Sequence, residues 1–408
     1  MPRQGPHPAV FFLLVLPYGI SYGYVGVALV ALAAKPELHI SAEQIGDVIA
    51  AIFFVHGIKF AWAPLVDTTL DRKRWYAISL GLVVLGTLAT SAVPLSVENL
   101  PLLTAVAVPS QIGLTLMGMA CEGLLGSTVA EADKGRASGM YQAGVLVGNG
   151  VGGGAALCLA QRVAHGYYVG IAMSVVMLFS AAGLWILPAV ARAAGNLVAA
   201  FSALARDLWK TVTSRAGVTG MVIALCPVGA GAASAYFAVL AKGWGADDDV
   251  VALVNGWLGG LVSAAGAMLG GWLADRMNRR LAYALAGALT ACVSLVMIVA
   301  PHTSVGFAVL TLVYSLCNGV AYATLAAFVF ETVGHGAVAS KYSVFISLAN
   351  LATSYCIRAE GRANTRFGER GLLLTDAALT GAGIALLVVM WAMGRGTAGA
   401  DDSAAITA

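Results

Sequence analysis

An all-α membrane protein, with twelve spans arranged as two six-helix halves, is the fold this sequence predicts. Three observations carry that prediction. Of 408 residues, 59% are hydrophobic and only 11% charged, with a mean hydropathy of +0.84. The apolar residues fall in runs long enough to cross a bilayer, separated by short polar breaks. One longer break, at 191–216, divides the runs six and six. A soluble domain carries about 25% charged residues, so the composition argues against a soluble enzyme, a disordered chain and a nucleic-acid binder. A transmembrane β-barrel is excluded too, because its segments would be about ten residues long and would alternate polar with apolar.

Taken in order, the predicted spans are 9–34, 45–66, 75–95, 101–122, 136–160, 168–190, 217–240, 249–273, 281–300, 304–330, 338–359 and 371–393. Helices are expected throughout, because lipid offers no partner to an open backbone group. The first run extends past Val30, which is too long for a signal peptide. Between spans six and seven, Leu197, Phe201, Leu204, Leu208 and Val212 recur at helical spacing, with Arg206, Asp207 and Lys210 off the stripe. That pattern predicts an amphipathic helix on the membrane surface. The expected organisation is a first bundle over 1–190, a linker over 191–216, a second bundle over 217–395 and a disordered tail over 396–408.

Orientation follows from Lys and Arg. With both termini in the cytoplasm, fifteen of the twenty-three basic residues lie inside, seven lie outside and Lys59 lies within a span. Arg358, Arg362, Arg366 and Arg370 make up four of the seven exceptions. The six cysteines all sit in apolar runs with no paired spacing, so neither a disulfide framework nor a metal site is expected. No Walker-type Gly-Lys-Ser/Thr occurs, and no Ser/His/Asp set stands out. Neither a cofactor nor enzymatic activity is expected.

The two halves share a short motif. The second span ends Trp62-Ala-Pro-Leu-Val-Asp67 and runs into Arg72-Lys-Arg74; the eighth ends Gly271-Trp-Leu-Ala-Asp275 and runs into Arg276 and Arg279-Arg280. An Asp closing the second helix of each half, followed by a basic loop, resembles the signature of the major facilitator superfamily, whose layout is two parallel six-helix repeats. The resemblance implies that Asp67 with Arg72, and Asp275 with Arg279, latch the cytoplasmic ends of neighbouring helices. A narrower likeness is carried by Lys59-Phe-Ala-Trp-Ala-Pro-Leu-Val-Asp67 and, more briefly, by Gly135-Arg136-Ala-Ser-Gly139, Gly266-Ala-Met-Leu-Gly-Gly271 and Lys341-Tyr-Ser-Val-Phe-Ile-Ser-Leu348. These stretches resemble the peptide–acetyl-coenzyme A transporter family, which includes AmpG muropeptide permeases, acetyl-CoA transporters and siderophore importers. Cys226-Pro227-Val-Gly-Ala-Gly231 lacks the Lys and Asp usual in the muropeptide branch.

Ionisable and polar side chains inside spans are costly, and so are functional candidates. His56 and Lys59 stand three apart on the second span, with Lys59 roughly 12 Å from Asp67 at 1.5 Å per residue. Tyr18 and Tyr22 share a face of the first span. Tyr314, Asn318 and Tyr322 recur at intervals of four on the tenth, and Ser347, Asn350, Ser354 and Arg358 form one stripe on the eleventh. Tyr18, Tyr22, His56, Lys59, Tyr314, Asn318, Asn350 and Arg358 are the expected substrate contacts. His56, Glu122 and Glu331 are the expected proton-coupling groups. Arg358, Arg362, Arg366 and Arg370 would form a basic outer mouth, partly neutralised by Glu360, Glu369 and Asp376.

The resulting expectation is a monomeric, proton-coupled transporter of the inner membrane. It would take up an amphipathic or anionic solute of siderophore, muropeptide or acyl-CoA type by alternating access. The alternative is a proton-coupled exporter of drugs or metabolites on the same fold.

Overall fold

The computed structural model describes residues 6–130, 133–188, 196–333 and 338–392. Among these residues every regular element is helical. Nine helices are long and apolar enough to cross a membrane, or ten when the bent pair Ala42–Gly57 and Lys59–Thr68 counts as one span. The last of the nine, Ser343–Ala392, has 50 residues. At 1.5 Å per residue it would reach about two and a half times the thickness of the bilayer core. It is broken at Gly368 (φ 68°, ψ −163°), so it supplies the eleventh and twelfth spans. The seventh span is in pieces too short to count.

The outer surface is that of a lipid-facing protein. Trp185, Val299, Met268 and Phe179 are each more than three-quarters exposed, a display of large apolar groups that water would not tolerate. Small residues set the helix contacts inside. Gly19 and Gly23 of the first span meet the backbone of Val145, Gly148 and Asn149 on the fifth, and Gly266, Gly270 and Gly319 lock the eighth and tenth together.

Three spans depart from the continuous helices expected from sequence. The second bends by 46° at Ile58, whose φ and ψ are −112° and 8°. Pro64 begins the next helical limb, where a missing N–H costs nothing. His56 and Lys59 therefore lie on opposite sides of a break, not on one helix face. The seventh, expected over 217–240, is helical only over Arg215–Leu225. Pro227 follows, then Gly229 and Gly231 at positive φ, and helical turns resume at Ala232. The irregular carbonyls are satisfied by side chains: Tyr283 donates to Val228 (2.9 Å), Thr380 to Pro227 (3.3 Å) and Thr353 to Ala230 (3.4 Å). Such backbone is tolerated at membrane depth because protein surrounds it. The eleventh continues beyond 359 as helix to the kink at Gly368, so Arg358, Arg362 and Arg366 lie on it and not in a loop, while Arg370 follows the kink.

Between the halves, Leu197–Thr213 is one helix. Leu197, Leu204 and Leu208 are half-buried, whereas Phe201 and Trp209 are exposed. It packs on the Ala63–Thr68 limb of the second span and on the eleventh–twelfth helix.

Candidate functional site

The face of the bundle carrying residue 9 and the linker helix is called proximal here, and the opposite face, with the 34–41 loop, distal. Between the two halves lies a cavity of about 440 Å³. Its walls come from the first, second, fourth and fifth spans on one side and the seventh, eighth, tenth and eleventh on the other. Three of these walls carry π-helical bulges, at Tyr24–Leu29, Val151–Ala155 and Ala252–Leu258. A bulge inserts a residue and re-aims its neighbours, and Gly26 and Asn255 within two of them face the cavity.

Six of the eight expected substrate contacts line it: Tyr18, Tyr22, His56, Lys59, Asn318 and Asn350. His56 is 4% exposed, with Nε2 3.2 Å from Gln111 Oε1, and Gln111 in turn donates to Ser21 Oγ at 3.4 Å. Tyr18, Tyr22 and Phe53 ring the imidazole with centroids 6.3–6.4 Å away. Asn149, Asn255 and Thr311 also line the cavity, and the side-chain oxygen of each is buried without a hydrogen-bond partner. Buried polar atoms are normally paired, so these three stand out, although each oxygen is closed off from the cavity space itself. Sequence reading notes Asn149, Asn255 and Gln142 only as further polar groups within spans, and it missed Thr311 and Gln111. Their signal was polarity within a span, but no spacing joined them.

Apart from the imidazole of His56, Lys59 is the single ionisable cation or carboxylate lining the cavity among the described residues, and it makes no ion pair there. Glu122 lies within electrostatic reach of Lys59, Tyr18 and Tyr322, and its carboxylate accepts from Tyr141 at 3.4 Å. Glu122 and Tyr322, both proximal to the cavity, are exposed. Glu331 falls in the last turn of Ser304–Val333, but its side chain lies outside the described residues.

Two expected contacts lie elsewhere. Tyr314 is fully buried within the second half, and its hydroxyl donates to Asp376 at 3.2 Å. It shares the four-residue spacing of Asn318, but its ring meets Phe237 edge-on, and Phe237 lines the cavity where Tyr314 does not. Arg358 is at the distal face, where its Nε reaches Asp47 Oδ1 at 2.8 Å. Arg362 meets Glu43 at 3.2 Å, and Thr365 Oγ1 accepts from the Glu43 backbone. The arginine row is thus in part a seal between the second and eleventh spans and not an open basic mouth. Glu369 holds Trp244 (2.6 Å) and His302 (3.4 Å) rather than the arginines.

The Asp67–Arg72 pair exists at 3.5 Å, and Arg72 also donates to the Gly123 carbonyl at 2.8 Å. It joins the second, third and fourth spans, all in one half, so it does not itself bridge the halves. Asp275 is exposed at the end of the eighth span, where Arg276 stacks over Trp272 with 4.6 Å to the ring centroid. Arg279 opens the next helix.

The sequence profile described as Major Facilitator Superfamily matches residues 11–355, most of the chain. The protein belongs to the Major Facilitator Superfamily. Its members are membrane transporters of small molecules rather than enzymes. Among solved structures it is similar to a D-xylose–proton symporter, with a TM-score of 0.72 and 14% identity over 94% of this chain and 96% of that one. It is also similar to the nucleoside transporter NupG (TM-score 0.70, 14% identity, 93% and 99% covered). At that identity the likeness establishes the superfamily's fold and nothing of the substrate. No match was found among curated protein sequences. The narrower likeness to the peptide–acetyl-CoA transporters has no support from these relatives.

Proposed function

We propose that this superfamily member is a secondary active transporter that takes up a small organic anion with apolar character, driven by protons across the inner membrane. The observation that carries the anion is Lys59. It brings the one formal charge to a cavity otherwise lined by amides, hydroxyls and aromatic rings. An anionic group would bind at Lys59, polar groups at Asn149, Asn255 and Asn318, and an apolar body against Tyr22 and Phe53. The siderophore, muropeptide and acyl-CoA classes share this chemistry.

In this reading the distal face is external and both termini are cytoplasmic, in keeping with the bias of Lys and Arg. The seal between the second and eleventh spans closes the outside, while Glu122 and Tyr322 open toward the cytoplasm. Transport proceeds as the halves rock about the occupied cavity. His56 and Glu122 stand near enough to Lys59 for protonation and anion binding to influence one another, and Glu331 is kept as a third candidate. The pairs Asp67–Arg72 and Asp275–Arg279 would then firm the cytoplasmic helix ends when that side closes.

Uptake into liposomes holding the purified protein tests the proposal, with D-xylose, a nucleoside, a ferric siderophore, a muropeptide and acetyl-CoA as candidate solutes. An imposed inward proton gradient should drive entry of an anionic solute, and Lys59→Ala should abolish it without loss of membrane insertion. Transport of only neutral solutes, unchanged in Lys59→Ala, would remove the anion; solute driven outward would indicate the exporter instead.

A further inference from the structure

Glu360 and Asp376 are 1% and 3% exposed, deep in the second half between the ninth, tenth, eleventh and twelfth spans. Neither borders the central cavity. Their carboxyl groups lie within hydrogen-bonding reach of each other. The other groups around them are Ser294 of the ninth span, Tyr314 of the tenth, Tyr236 of the seventh and Cys356 of the eleventh itself. None of these is a cation. The nearest arginines in sequence, Arg358 and Arg362, are paired with Asp47 and Glu43 of the other half.

Two ionised carboxylates are both acceptors and cannot hydrogen-bond to one another. Their repulsion in a water-poor interior keeps such a pair from being doubly charged. The contact therefore needs one proton, and the donors decide where it sits. Asp376 accepts from Ser294 Oγ on Oδ2 (2.5 Å) and from Tyr314 on Oδ1 (3.2 Å). Both its oxygens are served by donors, as a carboxylate requires. Glu360 receives no such donor, and its Oε2 is buried without a partner.

We propose that Glu360 and Asp376 form a proton-binding site, in which Glu360 carries the proton and donates it to the Asp376 carboxylate. The site is separate from His56, Glu122 and Glu331. Its place suggests its output. Glu360 lies between Arg358 and Arg362 on the helix that closes the distal seal. Tyr236, whose hydroxyl donates to the Ile357 carbonyl at 2.5 Å, is within electrostatic reach of Glu360 and of both seal acids, Asp47 and Glu43. Parting of the second and eleventh spans would free the Tyr236 hydroxyl from between Gly46 and Gly361, and water entering beside Tyr236 would let Glu360 exchange its proton with the distal solution. This coupling role rests on the transporter reading, whereas the proton site does not.

Infrared difference spectroscopy of the full chain in lipid nanodiscs, titrated with protons as the sole ligand, reads the site directly. Wild type should show the carbonyl stretch of a protonated carboxylic acid, lost on raising the pH. Glu360→Gln should lack that component at neutral pH, and Tyr314→Phe, which keeps both carboxyls, should shift its frequency. Tyr314→Phe also serves if Glu360→Gln does not reconstitute. A band unchanged in both variants overturns the site. So does a band displaced by added sodium at constant pH, which would make the pair a metal-cation site. Nanodiscs with the band but liposomes without solute flux would leave the proton site standing and remove the transporter reading.

Discussion

Asp47 and Arg358, 311 residues apart in sequence, meet at 2.8 Å across the boundary between the two halves. With Glu43–Arg362 one helical turn further on, they tie the start of the second span to the end of the eleventh. Both partners are about half exposed, so the pair is worth at most about 1 kcal/mol. That is enough to shift a two-state seal by about fivefold, since 1.4 kcal/mol is tenfold.

The expected behaviour is charge-dependent. Asp47→Lys should favour the distal-open state, and adding Arg358→Asp should restore the wild-type balance. Distance distributions between spin labels on the second and eleventh spans check this. A double variant no better than Asp47→Lys would reduce the pair to an incidental surface contact.

The seal also depends on absent methyl groups. The Tyr236 hydroxyl sits where a Cβ on Gly46 or Gly361 would stand. Gly46→Ala should cost about 1–3 kcal/mol of overpacking in the sealed state. Combining it with Tyr236→Phe removes the clashing oxygen and should recover part of that loss. The same distance measurement, with thermal unfolding in detergent as a control for folding, tests the pair.

A second seam between the halves joins the fifth and eighth spans. A Cβ on Gly154 would meet the Trp257 ring, which can swing, whereas a Cβ on Gly256 would meet the Gly154 backbone, which cannot. Gly256→Ala is therefore expected to perturb closure more than Gly154→Ala, by roughly 1 kcal/mol or more within the overpacking range. Equal effects would show that this seam has slack the static packing lacks.

The fold was readable in the sequence because span length, charge placement and the repeated Asp-then-basic loop are local properties. Six of the side chains that line the cavity were readable too, as polar residues at helical spacing on the first, second, tenth and eleventh spans. What escaped depends on helix phase and long-range pairing. Arg358 looked like an open mouth because nothing local names Asp47 as its partner. Glu360 looked like a counter-ion for the arginines, yet at two residues from Arg358 it lies about 200° around the helix, at 3.6 residues per turn, and faces Asp376. The breaks in the second and seventh spans had visible signals in Pro64, Pro227, Gly229 and Gly231, which a count of apolar residues passes over.

Lys73 offers a test of stability apart from transport. Its ammonium donates to the Leu184 and Leu187 carbonyls at 2.9 and 2.6 Å at the end of the sixth span, where the last carbonyls of a helix have no intrahelical donor. Hydrogen bonds from a charged donor contribute about 1.5–3 kcal/mol. Lys73→Met keeps the apolar stem and removes the donors, so it should lower the unfolding temperature in detergent while uptake per folded molecule stays at the wild-type level. Arg74→Met is the matched control, because that side chain is 74% exposed and reaches only Asp71. Equal loss of stability in the two variants would assign the effect to the basic loop's net charge instead of to the two carbonyls.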